Sequence, residues 1–254
     1  MASRAEAIAT GASEAVPRPA TSPTFFGAVR AALSDGYYHS WRLVPANVLW
    51  AVAAIGLAVA ALAIPLGILL LPLLALPTAG VFRVTTRIVR GVAVSFWDAV
   101  DAWRSDLLAT LVVGAGAVLL SLVLGTNAVL GLSSDSPIGW GLATMAAWGL
   151  AALWAVAWTA WPILEDPGRR GTPLRARLRL AVLLALAHPI RIGALALGLA
   201  VFLVLSTIAI VALVTVSVSF SALIASRYVL PAADRLETRL GAGPEPAIEL
   251  RPDA

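Results

Sequence analysis

Four stretches of this chain carry no charged residue: Leu43 to Phe82, Leu107 to Ser134, Ser136 to Leu164 and Ile192 to Ser226. A helix of roughly 20 residues crosses a bilayer hydrocarbon core about 30 Å thick. The first stretch is therefore long enough for two spans, and the second and third are each long enough for one. This pattern predicts an all-α fold, a polytopic membrane helical bundle.

The composition agrees with this class and removes several kinds of chemistry. Apolar residues make up 60% of the chain and charged residues 13%, and the mean hydropathy is +0.90, far from the values of a soluble domain. The chain has no cysteine, which excludes disulfides, thiolate metal sites and cysteine nucleophiles. The predicted spans contain no ionisable residue at mid-depth and no cluster with metal-ligand spacing, so we expect no metal, cofactor or enzymatic activity.

Both ends of the chain differ from the middle. Residues 1–24 and 238–254 are rich in Ala, Pro and charged or polar residues, a composition typical of disordered tails. The first segment also lacks the apolar core of a signal peptide. We therefore expect two tails that flank a single transmembrane helical domain over residues 25–237.

The arginines predict the orientation, because short cytoplasmic loops are enriched in basic residues. All 18 basic residues are Arg, and nine of them fall in the two loops at 83–104 and 169–179. The segments expected on the opposite side, Ile64–Pro65 and Gly131–Pro137, contain a single charge, Asp135. The N-terminus is therefore predicted to be cytoplasmic.

The last charge-free stretch has 35 residues and permits one long span or two short ones. One span would export four arginines, beginning with Arg227. Two spans that meet near Ile208 to Leu213 keep every Arg on the cytoplasmic side, with Arg227 at the interface. We favour six spans and a cytoplasmic C-terminus, with five spans as the alternative.

Each of the two inner loops predicts an amphipathic helix on the membrane surface. In the first, Ser95 and Asp98 form a capping-box pattern, and apolar residues then recur at helical spacing as far as Leu107. The second begins at Thr172–Pro173 and ends before His188–Pro189. The repeated order of span, basic segment and surface helix is compatible with an internal repeat, although inner-leaflet amphipathic helices generally share this pattern.

Uncharged polar residues and tryptophans within the spans have alternative interpretations. Asn47 lies one turn into the first span, near Trp50, and Thr78 follows Pro77 in a proline-rich second span. Such groups either pack between helices or line a site. The tryptophans of the fourth span have two interpretations. In the first, Trp140, Trp158 and Trp161 form belts at the two membrane interfaces and Trp154 packs between helices. In the second, the four side chains build an aromatic cage.

The arginine clusters predict contact with anionic headgroups on the inner leaflet. The arginines expected in this contact are Arg83, Arg87, Arg90, Arg175, Arg177 and Arg179. No fold or motif supports nucleic-acid binding, so none is expected. A lipid bilayer with anionic headgroups and a membrane-protein partner are the partners that the sequence favours.

Five short motifs stand out along the chain: NVLW (47–50), LPTAGVFRVTTRIVRG (76–91), SFWDAVDAWRSDL (95–107), AHPIR (187–191) and SFSALIASRYVLPAADRLE (219–237). Together they resemble the YesL-like family of bacterial integral membrane proteins, a domain of unknown function. The candidate polar or family-like positions are Asn47, Trp50, Pro77, Thr78, His188, Pro189, Arg191 and Arg227.

The resemblance implies a small multi-span protein of the bacterial plasma membrane, often encoded near genes for carbohydrate uptake, and it implies no catalytic residues. Together with the sequence, it favours an accessory or assembly component of a membrane complex. The alternative is a small transporter or channel for an uncharged or anionic solute. A polar cavity that reaches Asn47 and Thr78 would favour the alternative.

Overall fold

The computed structural model describes residues 24–64, 66–134, 136–209 and 213–241, which are helical and contain no strand. The α-helices in these ranges are α1 Phe25–Tyr38, α2 Ser40–Ala63, α3 Ala75–Val89, α4 Trp97–Ser105, α5 Leu107–Leu132, α6 Pro137–Leu164, α7 Leu174–Ala187, α8 Pro189–Ile208 and α9 Val218–Arg239. A 3-10 helix, Gly67–Leu74, precedes α3, and a π-helical turn, Leu213–Ser217, precedes α9.

Six helical segments within the described ranges are long and apolar enough to cross a membrane. The first is α2, and the second is the 3-10 helix continued by α3. The next three are α5, α6 and α8, and the last is α9 together with most of the π-helical turn. This confirms the predicted all-α helical bundle. The predicted tails lie mostly outside the described residues, although α9 continues to Arg239. Pro65, Asp135 and residues 210–212 of the predicted turn near 208–213 are outside them as well.

All charged residues in the described ranges lie toward one end of the bundle. The spans alternate in direction, so this end gathers the starts of α2, α5 and α8 and the ends of α3, α6 and α9. The shorter helices α1, α4 and α7 lie at the same end. We refer to it as the Arg-rich end.

The second span, which is rich in proline, begins with irregular structure. Pro72 lies inside the 3-10 helix and Pro77 in the first turn of α3. The connection from α2 is very close, since a Cβ added to Gly67 would lie 2.0 Å from the carbonyl oxygen of Ala60. Only glycine permits this approach.

Asn47 closes the irregular start of the sixth span. Its Nδ2 donates to the carbonyl of Val214 at 2.7 Å, and its Oδ1 accepts from the backbone N–H of Ser219 at 2.7 Å. The Ser219 hydroxyl donates to the carbonyl of Leu43 at 3.1 Å. The first amides of a helix lack intrahelical acceptors, so the fully buried Asn47 supplies one from α2.

The two predicted amphipathic helices are present as α4 and α7. Asp98 accepts from the Ser95 backbone N–H at 2.6 Å, which is half of the predicted capping box. α4 lies directly on α3, because a Cβ on Gly80 would come within 2.7 Å of the Ala99 carbonyl oxygen. These helices therefore pack onto the bundle as well as being amphipathic.

Helix α1 was not predicted. Thr24 caps it by accepting from the Gly27 N–H at 3.1 Å. The helix packs along α9, where Asp35 accepts from Arg227 Nε at 2.6 Å and Gly36 faces Phe220. It adds a layer to the Arg-rich end beside the last span.

We predict that Asn47→Ala lowers the free energy of unfolding by about 1–3 kcal/mol, because it leaves the Val214 carbonyl and the Ser219 N–H buried without their partner. The measurement is thermal unfolding in detergent, followed by tryptophan fluorescence. Asn127→Ala is the matched control, since Asn127 is exposed on α5 and makes no hydrogen bond to the described residues. Equal losses in the two variants would contradict the bridging role.

Candidate functional site

The Arg-rich end contains a buried ion pair that joins three spans. Arg83 on α3 donates from Nε to Glu165 Oε2 at 2.7 Å, and both side chains are only 3% exposed. The same guanidinium donates to Ser105 Oγ at 2.5 Å and lies 3.4 Å from Asp106 Oδ2. The end of α6, the middle of α3 and the junction of α4 with α5 therefore meet at one arginine.

A second group of charges surrounds Asp166, which is fully buried. Arg90 donates to Asp166 at 2.5 Å and also to Asp234 on α9 at 2.8 Å. Arg169 pairs with Asp166, with Asp234 at 2.7 Å and with Glu237 at 2.5 Å. We call both groups together the ion-pair network; its charged members are Arg83, Arg90, Arg169, Asp106, Glu165, Asp166, Asp234 and Glu237.

The local sequence explains why these groups converge. Asp166 precedes Pro167, which begins the 3-10 turn Pro167–Arg169, and its carboxylate accepts from the Gly168 N–H at 3.1 Å. The turn brings the Arg169 side chain back onto Asp166. Two adjacent carboxylates, Glu165 and Asp166, thus point at different arginines directly after an apolar span.

Burial raises the pKa of the Glu165 carboxyl above its usual range, against the opposing effect of Arg83. Hydrogen bonds to Asp234 and Asp166 raise the pKa of Arg90 despite its partial burial. The network holds opposite charges in reciprocal contact. It is an arrangement for holding helices together.

The expected headgroup contact does not hold for two of the six arginines. Arg83 is buried in the network, and Arg177 is buried with Nη1 donating to the Leu164 carbonyl at 2.6 Å. Arg87 pairs with Asp98 at 2.8 Å, and Arg90 belongs to the network. Carboxylates engage Arg83, Arg87 and Arg90, and a backbone carbonyl engages Arg177, because a buried guanidinium requires partners. Arg175 and Arg179 remain exposed.

Of the candidate polar positions in the first two spans, Trp50 and Thr78 contact each other, whereas Asn47 belongs to a different group of hydrogen bonds. Trp50 Nε1 donates to Thr78 Oγ1 at 3.0 Å, and Thr78 donates to the Leu74 carbonyl at 2.7 Å. A cavity of about 380 Å³ lies beside this pair, and Asn47 does not line it. The lining is mostly aromatic and apolar: Trp50, Thr78, Phe82, Trp154, Ala157, Trp158, Trp161, Leu203, Val204, Thr207 and Val218.

The aromatic side chains of this cavity correct the belt interpretation. Trp158 is buried, with its ring centroid 5.7 Å from that of Phe82, so it does not lie in an interfacial belt. Trp154 stacks edge-on against Trp158 and donates to the Ala196 carbonyl at 2.9 Å. Trp140 is exposed on α6. The cavity is an aromatic groove rather than the polar one that transport of an anion requires.

A second cavity, of about 450 Å³, lies at the Arg-rich end between α7, α8 and α9. It brings together three of the family-like positions, His188, Pro189 and Arg191, with Arg235 and Arg239 from α9. Arg227 lies apart and pairs with Asp35. The spacing of Tyr228, Ala232, Arg235 and Arg239 on one helical face could have indicated this surface, but its partner helix could not.

No family model, curated protein or solved structure matches this chain. The described residues contain no group of three or more His, Asp or Glu side chains placed to hold a metal ion.

We predict that Arg83→Met and Glu165→Met each destabilise the protein by about 3–5 kcal/mol, because each leaves a buried charge without its partner. The double variant removes both charges and is expected to lose clearly less than the sum. Reversible chemical unfolding in mixed micelles measures the free energy of unfolding of the wild-type protein, the two single variants and the double variant. Arg175→Met, at an exposed site, is the control; additive losses in the double variant would contradict a coupled pair.

Proposed function

We propose that this is a non-enzymatic, multi-pass protein of the bacterial plasma membrane, with both termini cytoplasmic, that acts by contact as an accessory or assembly component of a membrane complex. The observation that carries the proposal is the exposed hairpin formed by α5 and α6. A protein that acts through a partner needs a surface for it, and the apolar stretches of these two helices are the least buried among the six spans of the described residues.

The hairpin is closely packed along its own seam and open elsewhere. A Cβ on Gly131 would lie 2.5 Å from the Gly139 carbonyl oxygen, so the two backbones touch near their connection. In α5 and in α6, only 11% of the most apolar 18-residue stretch is buried inside the bundle, against 72% of the corresponding stretch in the last span. The apolar stretches of both helices therefore lie largely outside the core of the bundle, whereas the end of α6 near Trp158 to Leu164 is packed into it.

The outer face of α6 has the features of a helix-docking surface. Gly141, Met145 and Trp148 lie on one exposed face, and nothing lies within 4 Å of a Cβ built on Gly141. A groove of about 350 Å³ runs beside Trp140 and Trp148. Small residues permit close approach of a partner helix, and aromatic side chains supply contact area. We propose a transmembrane helix of another protein as the partner.

The resemblance to YesL-like proteins supports placing that partner in a carbohydrate uptake system. The motifs are short, and the structure of the Arg-rich end bears on stability rather than on sugar chemistry. The link to carbohydrate uptake is therefore a proposal about the partner, which identification of that partner tests directly.

A second candidate function, transport of a small solute, is favoured by the aromatic groove beside Trp50 and Thr78. Its lining contains no charged residue, which favours an uncharged solute over an anionic one. Uptake into liposomes, with Thr78→Val as the variant and Asn47→Ala for comparison, distinguishes this function from the accessory one.

We predict that tagged protein purified from its native membrane in mild detergent carries a stoichiometric membrane partner, detected by mass spectrometry. The double variant Gly141→Leu with Trp148→Ala is expected to reduce recovery of that partner roughly tenfold, since it changes the face that the partner packs against. Gly56→Leu, at an equally open glycine on α2, is the matched control. Equal partner recovery from all three proteins, or no partner, would contradict the proposal.

A further inference from the structure

We infer that the cavity between α7, α8 and α9 at the Arg-rich end binds the phosphate group of an anionic phospholipid. This site is separate from the α5–α6 hairpin and does not depend on its function. Three arginines line the cavity, Arg191, Arg235 and Arg239, and no carboxylate does. Guanidinium groups bind phosphate through charge-assisted hydrogen bonds that are frequently bidentate.

Helix α9 separates its charges onto two faces. Asp234 and Glu237 face the ion-pair network, where Arg90 and Arg169 neutralise them. The face that lines the cavity carries Tyr228, Arg235 and Arg239 instead. Arg191 and Arg239 make no ion pair within the described part of the chain. No carboxylate of the cavity lining therefore offsets the charges of Arg191 and Arg239.

The N-terminus of α8 adds donors to the same cavity. The helix begins at Pro189, and no side chain caps it. The first amide to bond back is that of Ile192, which donates to the His188 carbonyl at 3.0 Å. The N–H groups of Ile190 and Arg191 precede it and have no helical acceptor. Such amides, with the positive end of the helix dipole, favour an anion.

Tyr228 gives an independent indication of a ligand. Its side chain lines the cavity and is only 6% exposed. Its hydroxyl has no hydrogen-bond partner among residues 24–64, 66–134, 136–209 and 213–241. Because Tyr228 lines the cavity, a phosphate oxygen bound there would accept from this hydroxyl.

The surroundings favour a lipid over free phosphate. Leu184, Ile192 and Leu236 form an apolar part of the lining, which a soluble ion does not need. Ile190 is 86% exposed at the rim, where a membrane-spanning helix begins. A headgroup held by the arginines would place its acyl chains along the apolar surface of α8.

The test is native mass spectrometry of the full chain titrated with phosphatidylglycerol, with phosphatidylcholine as the uncharged lipid. We expect saturable binding of phosphatidylglycerol that weakens roughly tenfold or more in Arg191→Gln with Arg239→Gln. The matched control, Arg175→Gln with Arg179→Gln, removes the same charge from exposed positions on α7 and is expected to change the affinity less than about twofold. Tyr228→Phe removes one hydrogen bond and is expected to weaken binding about threefold.

Equal weakening in the two arginine pairs would overturn the inference, because it would mean diffuse attraction to the whole basic surface. Binding that never saturates would overturn it as well. In a separate arm, inorganic phosphate is added in excess: failure to displace the lipid supports the inference, and full displacement would assign the cavity to soluble phosphate instead. Thermal unfolding of each variant identifies any that is misfolded, and the single variant Arg239→Gln, at an exposed position near the end of α9, then replaces the pair.

Discussion

The buried pairing of arginines with carboxylates at one end of the bundle is the interaction on which the rest of this structure depends. A charge in hydrocarbon costs several kcal/mol, so the spans exclude charge and concentrate it where they end. There the chain does not leave its arginines to solvent and lipid alone. Arg83, Arg90 and Arg169 are drawn inward by Glu165 and Asp166, and with Asp234 they join α3, α6 and α9. Burying these charges is tolerable only because each has partners, and loss of one partner is correspondingly costly.

This arrangement divides the protein into two parts with different properties. The Arg-rich end is cross-linked by ion pairs, and Asn47 supplies a further bridge between α2 and the start of α9. Among the described residues, the part of the α5–α6 hairpin near its turn has no comparable link to the bundle, whereas Trp154 and the end of α6 are tied to it. A fixed end with an exposed apolar hairpin suits a protein that presents a surface to a partner. The aromatic groove and the arginine-lined cavity lie between helices and provide room for small or lipidic molecules.

The sequence predicted the spans and both amphipathic helices, because absence of charge and helical periodicity are local signals. Helix α1 was missed, since its residues 25–38 mix polar and apolar side chains outside any charge-free stretch. The ion-pair network was missed for a different reason. The positive-inside pattern counts arginines and gives carboxylates little weight, so it assigned Arg83 to lipid, whereas its partner Glu165 lies 82 positions away. Asn47 was recognisable as unusual, but its contact with Ser219 spans 172 positions, and no local pattern encodes it.

The packing of α3 against α9 places the network, so a distance between these helices tests the central claim most directly. The hydroxyls of Thr85 and Ser226 lie 3.2 Å apart in the buried interface. The chain has no cysteine of its own, so introduced cysteines would be its only thiols. Cysteines at both positions should form a disulfide almost completely under mild oxidation in native membranes, as this separation allows the required geometry. A second pair, Thr85→Cys with Ser121→Cys on the exposed hairpin, should stay reduced. Failure of the first pair to cross-link, or equal cross-linking of both, would contradict the described bundle and the network built on it.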